Sequence, residues 1–509
     1  MTGQLQAHAR GTDLERLDGR AKVTGTAPYA FEYPLDNPTY LHPAETAEAA
    51  RHAASLVQVH YDEQPPDVAL SADRTDLYAP EQVNAGFATD TDTGDLDYAL
   101  ATAAVVLDQT YTTPTERNNP MEPHTKEFIE QAAVPARMMY AAPNRRTSHR
   151  TAALDVPIPS WMRAPGECPG MFGPEVAMDE LAVACGLDPI ELRVRNEPEI
   201  DPDTGKPWSE RRLVPCLQEG ARRFCWADRD PQPRSRHEDG WLVGTGVSSS
   251  TYPLNVMPGS MAAIQYNAGR YAVRIGAVDI GTGAWTALSQ IAADALNCPV
   301  EAIALEIGDT NLPMASVAGG SSGITCWGSA IVGAARAFRD EHGADPTDGA
   351  QSEAGMPENA DPDNFAIHSF GAQFAEVRVH PDTGEIRVPR MLGVFSTGRI
   401  INPRTARSQF IGGMTMGLSM ALHEQSFVDP RFGHVVNHDF AEYHIAANAD
   451  VGDIEAVWLD EQDPHSDPMG SRGIGEIGIV GAAAAIANAA YHATGIRVRD
   501  LPLTADRFL

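Results

Sequence analysis

The rhythm of apolar and polar positions changes three times along the chain. Up to about residue 110, short apolar runs alternate with polar loops. Glu45–Leu56 carries the alanine-rich periodicity of a helix, Val57–Tyr61 reads as a strand, and the acidic turn Thr89–Asp97 gives way to the apolar Ala99–Leu107. From there to about residue 240, arginine- and proline-rich loops surround one clear helix, Glu175–Cys185, with a turn at Asp201–Gly205 and a linker-like stretch, Asp228–Gly240. The region from Trp241 onward is the most regular. Tyr271–Asp279 alternates as a strand, the turn Gly281-Thr282-Gly283 opens a helix over Ala284–Leu296, and Ala302–Ile307 is a strand again. Phe370–His380 and Glu385–Ser396 form a hairpin around Pro381-Asp-Thr-Gly384. Gly412–Leu422 is a helix, a glycine-rich turn (Gly470–Gly478) precedes the helix Ile479–Thr494, and Arg497–Arg499 is a closing strand. Ala344–Pro362 reads as a solvent loop. These patterns predict a multidomain α+β or α/β protein, divided at 1–110, 111–240 and 241–509.

Composition narrows the function. The 509 residues carry 38 Lys+Arg against 69 Asp+Glu, a formal net charge of −31, with 43% hydrophobic residues, so the chain is globular and no nucleic acid is expected as partner. Three basic residues are lysines, Lys22, Lys126 and Lys206, which limits Schiff-base chemistry to those positions. The longest apolar helical run, Ile477–Ala490, falls short of the ~20 residues needed to cross a bilayer, and the first twenty residues lack the apolar core of a secretory signal. No membrane association is expected. The six cysteines include no C-x-x-C pair, which predicts free thiols in a cytoplasmic, reducing setting and no iron–sulfur cluster in this chain.

Four local signals point to different chemistries. Gly473-Ile-Gly475-Glu-Ile-Gly478 satisfies the dinucleotide fingerprint G-x-G-x-x-G, with Asp500 at the distance of a ribose-binding acid. The preceding Asp463–Met469 is no strand, however, and Glu476 would repel a pyrophosphate. Gly319-Gly-Ser321-Ser-Gly323 satisfies G-x-S-x-G, although a proline-containing loop separates it from the strand that should feed it. Its serines can equally present hydroxyl and N–H groups to an anion. His434, His438 and His444 are spaced for metal ligation but lack the H-E-x-x-H glutamate, and read as surface or polar core residues. Glu476, between glycines at a helix start, is either a first-turn glutamate worth ~0.3–1 kcal/mol to its helix or an ionised general base. Glycines 470, 473, 475 and 478 allow a bulky group to approach the backbone closely.

The longer motifs carry a resemblance. Arg16-Leu-Asp-Gly-Arg-Ala-Lys-Val-Thr-Gly25, Ser160-Trp-Met-Arg-Ala-Pro-Gly-Glu-Cys-Pro-Gly170, Met178-Asp-Glu-Leu-Ala182 and Asp188-Pro-Ile-Glu-Leu-Arg193 stand in the first half. Asp279-Ile-Gly-Thr-Gly-Ala-Trp-Thr286, Gly319–Gly328, Gly398-Arg-Ile-Ile-Asn-Pro-Arg404 and Gly473–Gly481 follow in the second. In this order they resemble the molybdenum-binding large subunit of the xanthine oxidase family, and within it the bacterial aldehyde oxidoreductases. The resemblance implies a small N-terminal hammerhead-like domain and two molybdenum-cofactor-binding α+β domains. It also implies molybdenum held through the dithiolene of a molybdopterin cytosine dinucleotide, with no protein ligand to the metal.

Glu476 matches the family's catalytic glutamate, the base in oxidation of an aldehyde to a carboxylate with water as oxygen source, and Arg163 matches a loop near the metal. Four cofactor loops match Gly281, Thr282 and Gly283; Ser321, Ser322 and Gly323; Arg399, Ile400, Ile401, Asn402, Pro403, Arg404 and Thr405 with Gln409; and Arg472, Gly473, Ile474 and Gly475. Many relatives carry glutamine at Thr282. Since this chain has no iron–sulfur cysteine cluster and no flavin fingerprint, the resemblance implies partner subunits bearing [2Fe–2S] clusters and FAD, in a heterotrimer or a dimer of heterotrimers. A partner's export signal would make the setting periplasmic.

The alternatives are an N-heterocycle (purine-like) hydroxylase and a cofactor-free structural remnant. No cysteine stands in a loop matching carbon monoxide oxidation. The chain also looks internally shortened. A Gly-Gly-Gly-Phe-Gly cofactor loop expected after Glu122-Pro-His124 is absent, Pro43–Glu45 marks another jump, and the region after Arg339 is short.

Overall fold

The computed structural model describes residues 9–17, 52, 55–56, 65–116, 129–156, 160–357, 361–431 and 433–509. The predicted helix Glu45–Leu56, strand Val57–Tyr61 and the junction at Pro43–Glu45 lie largely or wholly outside them, as does the Glu122–Lys126 junction. Two short antiparallel pairs stand in the first half, β1 (Gln82–Val83) with β2 (Phe87–Ala88) and β3 (Thr91–Thr93) with β4 (Arg145–Thr147). Helices α1 (Leu96–Thr102), α2 (Val134–Met138), α3 (Glu167–Cys185), α4 (Pro189–Arg195) and α5 (Leu213–Arg223) lie in this half.

The second half builds two sheets. A five-stranded sheet has the order β13-β12-β11-β6-β5, from β5 (Arg236–Glu238), β6 (Trp241–Pro253), β11 (His368–Val379), β12 (Ile386–Ser396) and β13 (Asp453–Trp458), with only β12 and β13 parallel. A four-stranded sheet has the order β10-β7-β8-β9, from β7 (Met261–Asn267), β8 (Arg270–Arg274), β9 (Ile303–Glu306) and β10 (Gln351–Gly355). Helices α6 (Ala284–Leu296), α7 (Gly323–His342), α8 (Pro403–Leu422), α9 (Ile477–Val480) and α10 (Ala482–Thr494) complete the fold.

Each sheet has its own core. Strand β6 is buried on both faces, so it does not alternate as a half-exposed strand does. On one face the alanine-rich α10 lies directly on Gly244 and Gly246, where a Cβ would come within 2.2 Å of the helix backbone. On the other, Gly220 of α5 sits against Phe374. The apolar segment Ile477–Thr494 is thus a core element, buried almost throughout. The second core packs α6 and α7 against the four-stranded sheet around Ile264, Val273, Leu288, Ile331 and Phe338.

The helix–strand–hairpin plan of the second half agrees with the sequence pattern, with five differences. Helix α3 starts at Glu167 rather than Glu175, because it accommodates Pro174 inside it. Helix α8 starts at Pro403 rather than Gly412, with Asn402 as its cap. The supposed solvent loop 344–362 contains β10, which pairs with β7, and the supposed linker 228–240 contains the edge strand β5. The closing strand 497–499 is replaced by a single bridge between Thr112 and Asp500.

One buried ion pair ties the first half to the second. Glu175 of α3 and Arg193 of α4 are both fully buried, with Nη2 to Oε2 at 2.8 Å. Glu175 also accepts from the Ser249 N–H at 2.7 Å and the Tyr140 hydroxyl at 2.6 Å. Its backbone carbonyl accepts from Asn488 of α10 at 3.3 Å. Removing one member strands a buried charge, at a cost of about 3–5 kcal/mol. Glu175→Ala should therefore lower the free energy of urea unfolding by that amount; a loss near that of a surface substitution would contradict this role.

Candidate active site

A cavity of about 860 Å³ opens between the two cores. Eighteen of the twenty site residues expected from the sequence line it; Pro403 and Arg404 do not. Pro403 fills the first turn of α8, where a missing N–H costs nothing. Arg404 turns outward to Asp13 at 2.9 Å and Glu15 at 3.3 Å. Two more residues face the cavity without offering their side chains. The Arg472 guanidinium is fully buried between Glu461 and Asp463, and also donates to the Glu210 carbonyl at 2.7 Å and the Ser396 hydroxyl at 3.0 Å. The Asn402 amide caps α8 at the Thr405 N–H (3.0 Å) and donates to Gln290 at 2.9 Å.

Three helices, α6, α7 and α8, begin at the cavity wall, and α6 and α7 have no side-chain cap. Their positive ends make the cavity a seat for an anion. The loop before α6 is folded by Asp279, whose Oδ1 accepts from the Gly281 and Gly283 N–H groups at 2.8 and 3.2 Å. Gly283, at φ +85°, has no room for a Cβ, which would meet the Thr405 methyl at 2.5 Å. Arg399 lines the same wall, and its Nε is buried without a protein partner. Among the described residues Glu476 is the one acidic residue in the lining. Convergent helix ends, an orphaned arginine N–H and glycine-lined loops fit a bulky group bearing a pyrophosphate.

The Glu476 carboxylate is held at both oxygens. The Ala164 N–H donates to Oε1 at 3.2 Å and the Ser321 hydroxyl to Oε2 at 3.0 Å. Both donors are non-glycine residues in the left-handed region, Ala164 at φ +57° and Ser321 at φ +52°. Arg163 ties the base's loop to α8, donating from Nε to the Gly475 carbonyl at 2.6 Å and from Nη2 to the Gln409 carbonyl at 2.8 Å. Burial lowers the Arg163 pKa while the charge of Glu476 opposes that shift.

Sequence reasoning missed three neighbours. Tyr252, at the end of β6, lines the cavity; burial first, then the carboxylates of Glu476 and Glu167, push its hydroxyl far above the usual range. Glu167, the first residue of α3, is pushed up to about 8 by burial, so it holds its proton at neutral pH. Gln131 donates to both its oxygens at 3.2 Å.

The rival motif readings lose support. No strand leads into Gly473, and Ser321 is paired with a carboxylate rather than an imidazole. Among the described residues no three His, Cys, Asp or Glu gather to hold a metal ion.

Comparison with known proteins gives a consistent answer. Models of the molybdopterin cofactor-binding domain match residues 124–197, and 219–344 with 343–452. The aldehyde oxidoreductase molybdenum-binding subunit PaoC of Escherichia coli O157:H7 is 34% identical, over 92% of this chain and 83% of its own. That alignment runs to 614 positions, more than the 509 residues here, so the relative carries segments that this chain lacks. The putative xanthine dehydrogenase molybdenum-binding subunit XdhA of Escherichia coli K12 is 28% identical over 71% of this chain and 54% of its own.

Among solved structures, the aldehyde oxidoreductase from Desulfovibrio desulfuricans superposes with a TM-score of 0.67 at 26% identity, covering 74% of this chain and 44% of that one. Quinoline 2-oxidoreductase from Pseudomonas putida 86 shares the fold, with a TM-score of 0.65 at 22% identity over 74% of this chain and 56% of that one. The chain thus spans about half the length of these solved relatives. With its loops, helix ends and base arranged around one cavity, the chain belongs to the molybdenum-binding subunits of the aldehyde oxidoreductase and xanthine dehydrogenase family, which are molybdenum-dependent oxidoreductases.

Proposed function

We propose that this subunit oxidises aldehydes to carboxylates with water as the oxygen source, using Glu476 as general base and a molybdenum–molybdopterin cytosine dinucleotide. The observation that carries the reading is the seat of Glu476, among the described residues the one carboxylate in a cavity otherwise built for an anion. When bound, the cofactor supplies the two-electron acceptor and the oxygen-transfer chemistry. The N-termini of α6 and α7 and the Arg399 guanidinium would hold its phosphates, while Gly473 and Gly475 let it approach the backbone. Glu476 takes up the proton released at the reacting centre, and the Ala164 and Ser321 donors keep its carboxylate aimed into the cavity.

Aldehydes are favoured over N-heterocycles by the longer and higher match to the aldehyde oxidoreductase subunit. Electrons would leave through partner subunits bearing [2Fe–2S] clusters and FAD, since no cysteine cluster gathers among the described residues. The unpaired cysteines support a cytoplasmic setting.

Protein made in a host that assembles the cofactor should contain near one molybdenum and one releasable CMP per chain. Absence of both would favour the structural-remnant reading. Glu476→Gln should keep metal and CMP and lower kcat on an aromatic aldehyde by about 10²–10⁴-fold; turnover of a purine but not of aldehydes would instead support the heterocycle hydroxylase. Arg399→Met should reduce the CMP retained after gel filtration without changing the thermal midpoint. Full retention would remove Arg399 from the phosphate site.

A further inference from the structure

We propose that Ser321 positions the base instead of binding the cofactor: its hydroxyl fixes the Glu476 carboxylate. The inference rests on Glu476 being the base. Three observations carry it. The Ser321 hydroxyl is engaged with Glu476 Oε2 at 3.0 Å, and its neighbour Ser322 is engaged with the Gly319 carbonyl at 2.8 Å, so both hydroxyls of the loop already have protein partners. What remains for a ligand is the backbone at the start of α7.

The backbone at Ser321 also adopts φ +52°, a region that serine rarely occupies, and the residue donating to the opposite oxygen, Ala164, does the same at φ +57°. Two uncommon conformations therefore serve one carboxylate. Finally, the Ser321 side chain is seated by its neighbours. A Cβ added at Gly473 would lie 2.6 Å from the Ser321 Cβ, and one at Gly475 would lie 3.1 Å from its Oγ.

A hydroxyl donating to a carboxylate favours the charged form. The other charged or titratable groups facing Glu476 are Arg163 from the loop before α3, Glu167 from the first turn of α3, and Tyr252 from the end of β6. Helix α8 contributes only the uncharged Gln409 on this side. Losing the serine hydroxyl leaves this set intact and removes a donor to the charged form. Since the base works when ionised, activity then falls most at low pH.

The test uses the full chain with Ser321→Gly, which accepts the left-handed backbone without strain, and Ser321→Ala. Molybdenum and CMP content should stay at the wild-type level, and the acid limb of kcat/KM should move up by about one unit. That corresponds to about tenfold lower kcat/KM below the limb, with the deficit shrinking toward the alkaline plateau. In cofactor-free protein, infrared spectra of carbon-13 glutamate, taken as the difference from Glu476→Gln, should show the same upward shift without any turnover. Loss of CMP from Ser321→Gly with an unmoved infrared titration would make Ser321 a cofactor ligand and overturn the proposal, as would unchanged values throughout. If Glu476→Gln itself turns over normally, the base assignment fails, and the infrared titration still decides whether Ser321 controls this carboxyl.

Discussion

The two hydrogen bonds to Glu476 come from opposite sides of the molecule. Ala164 belongs to the core of the five-stranded sheet, whereas Ser321 stands at the start of α7, whose next turns, Cys326 and Trp327, belong to the core of the four-stranded sheet. The carboxylate therefore reports on how the two halves meet. A displacement of one core against the other lengthens one bond or the other, and a general base gains its effect only at a fixed distance from the proton it removes. The seam is closely packed at the loop bearing the base: a Cβ at Gly473 would lie 2.6 Å from the Ser321 Cβ, and one at Gly475 would lie 3.1 Å from its Oγ.

Charge is organised around the same seam. The chain carries a formal −31, a balance that repels anions at long range. Inside the cavity the sign reverses locally. Helix starts stand at its wall, Arg399 keeps an unpartnered Nε, and among the described residues Glu476 is the only acid in the lining. The nearest second carboxyl, Glu167, is kept protonated by burial and so adds no repulsion at neutral pH. An anionic group and the base can then share one cavity, because the base is held at one corner by its own donors and the helix ends serve the rest.

Much of this was legible in the sequence, for physical reasons that differ by element. Loops with glycine at fixed spacing announced themselves, because close approach and left-handed turns leave few other residues possible. The helix over Ala284–Leu296 and the hairpin around Gly384 followed from periodicity and turn chemistry. Where the reading stopped short, tertiary contacts had overridden local signals. Strand β6 is covered on both faces and shows no alternation, and Pro174 hid the true start of α3. The Asn402-Pro403 pair, a cap followed by proline at the first helical position, could have placed the start of α8. Side-chain direction was beyond reach: Arg404 and Arg472 stand in a matching motif, yet one pairs with Asp13 on the surface and the other with Glu461 in the interior.

The shortened chain keeps its cradle because each loop carries its own anchor. Asp279 folds the turn before α6, and Asn402 caps α8. Arg163 binds the base's loop through the Gly475 carbonyl. Asp467, pushed up to about 6 by burial, accepts from the Met469 and Ser471 N–H groups at 2.9 Å each and from the Ser471 hydroxyl at 2.7 Å, fixing the start of that loop. None of these anchors draws on a segment that the longer relatives add. At the mouth of the cavity Trp161, Ile280 and Val317 stand 58%, 68% and 57% exposed. Apolar side chains at the rim of a polar cavity are sites for a cover. The anchored loops hold the base and receive the anion without drawing on that apolar rim, so the two parts of the cavity are separable in this fold.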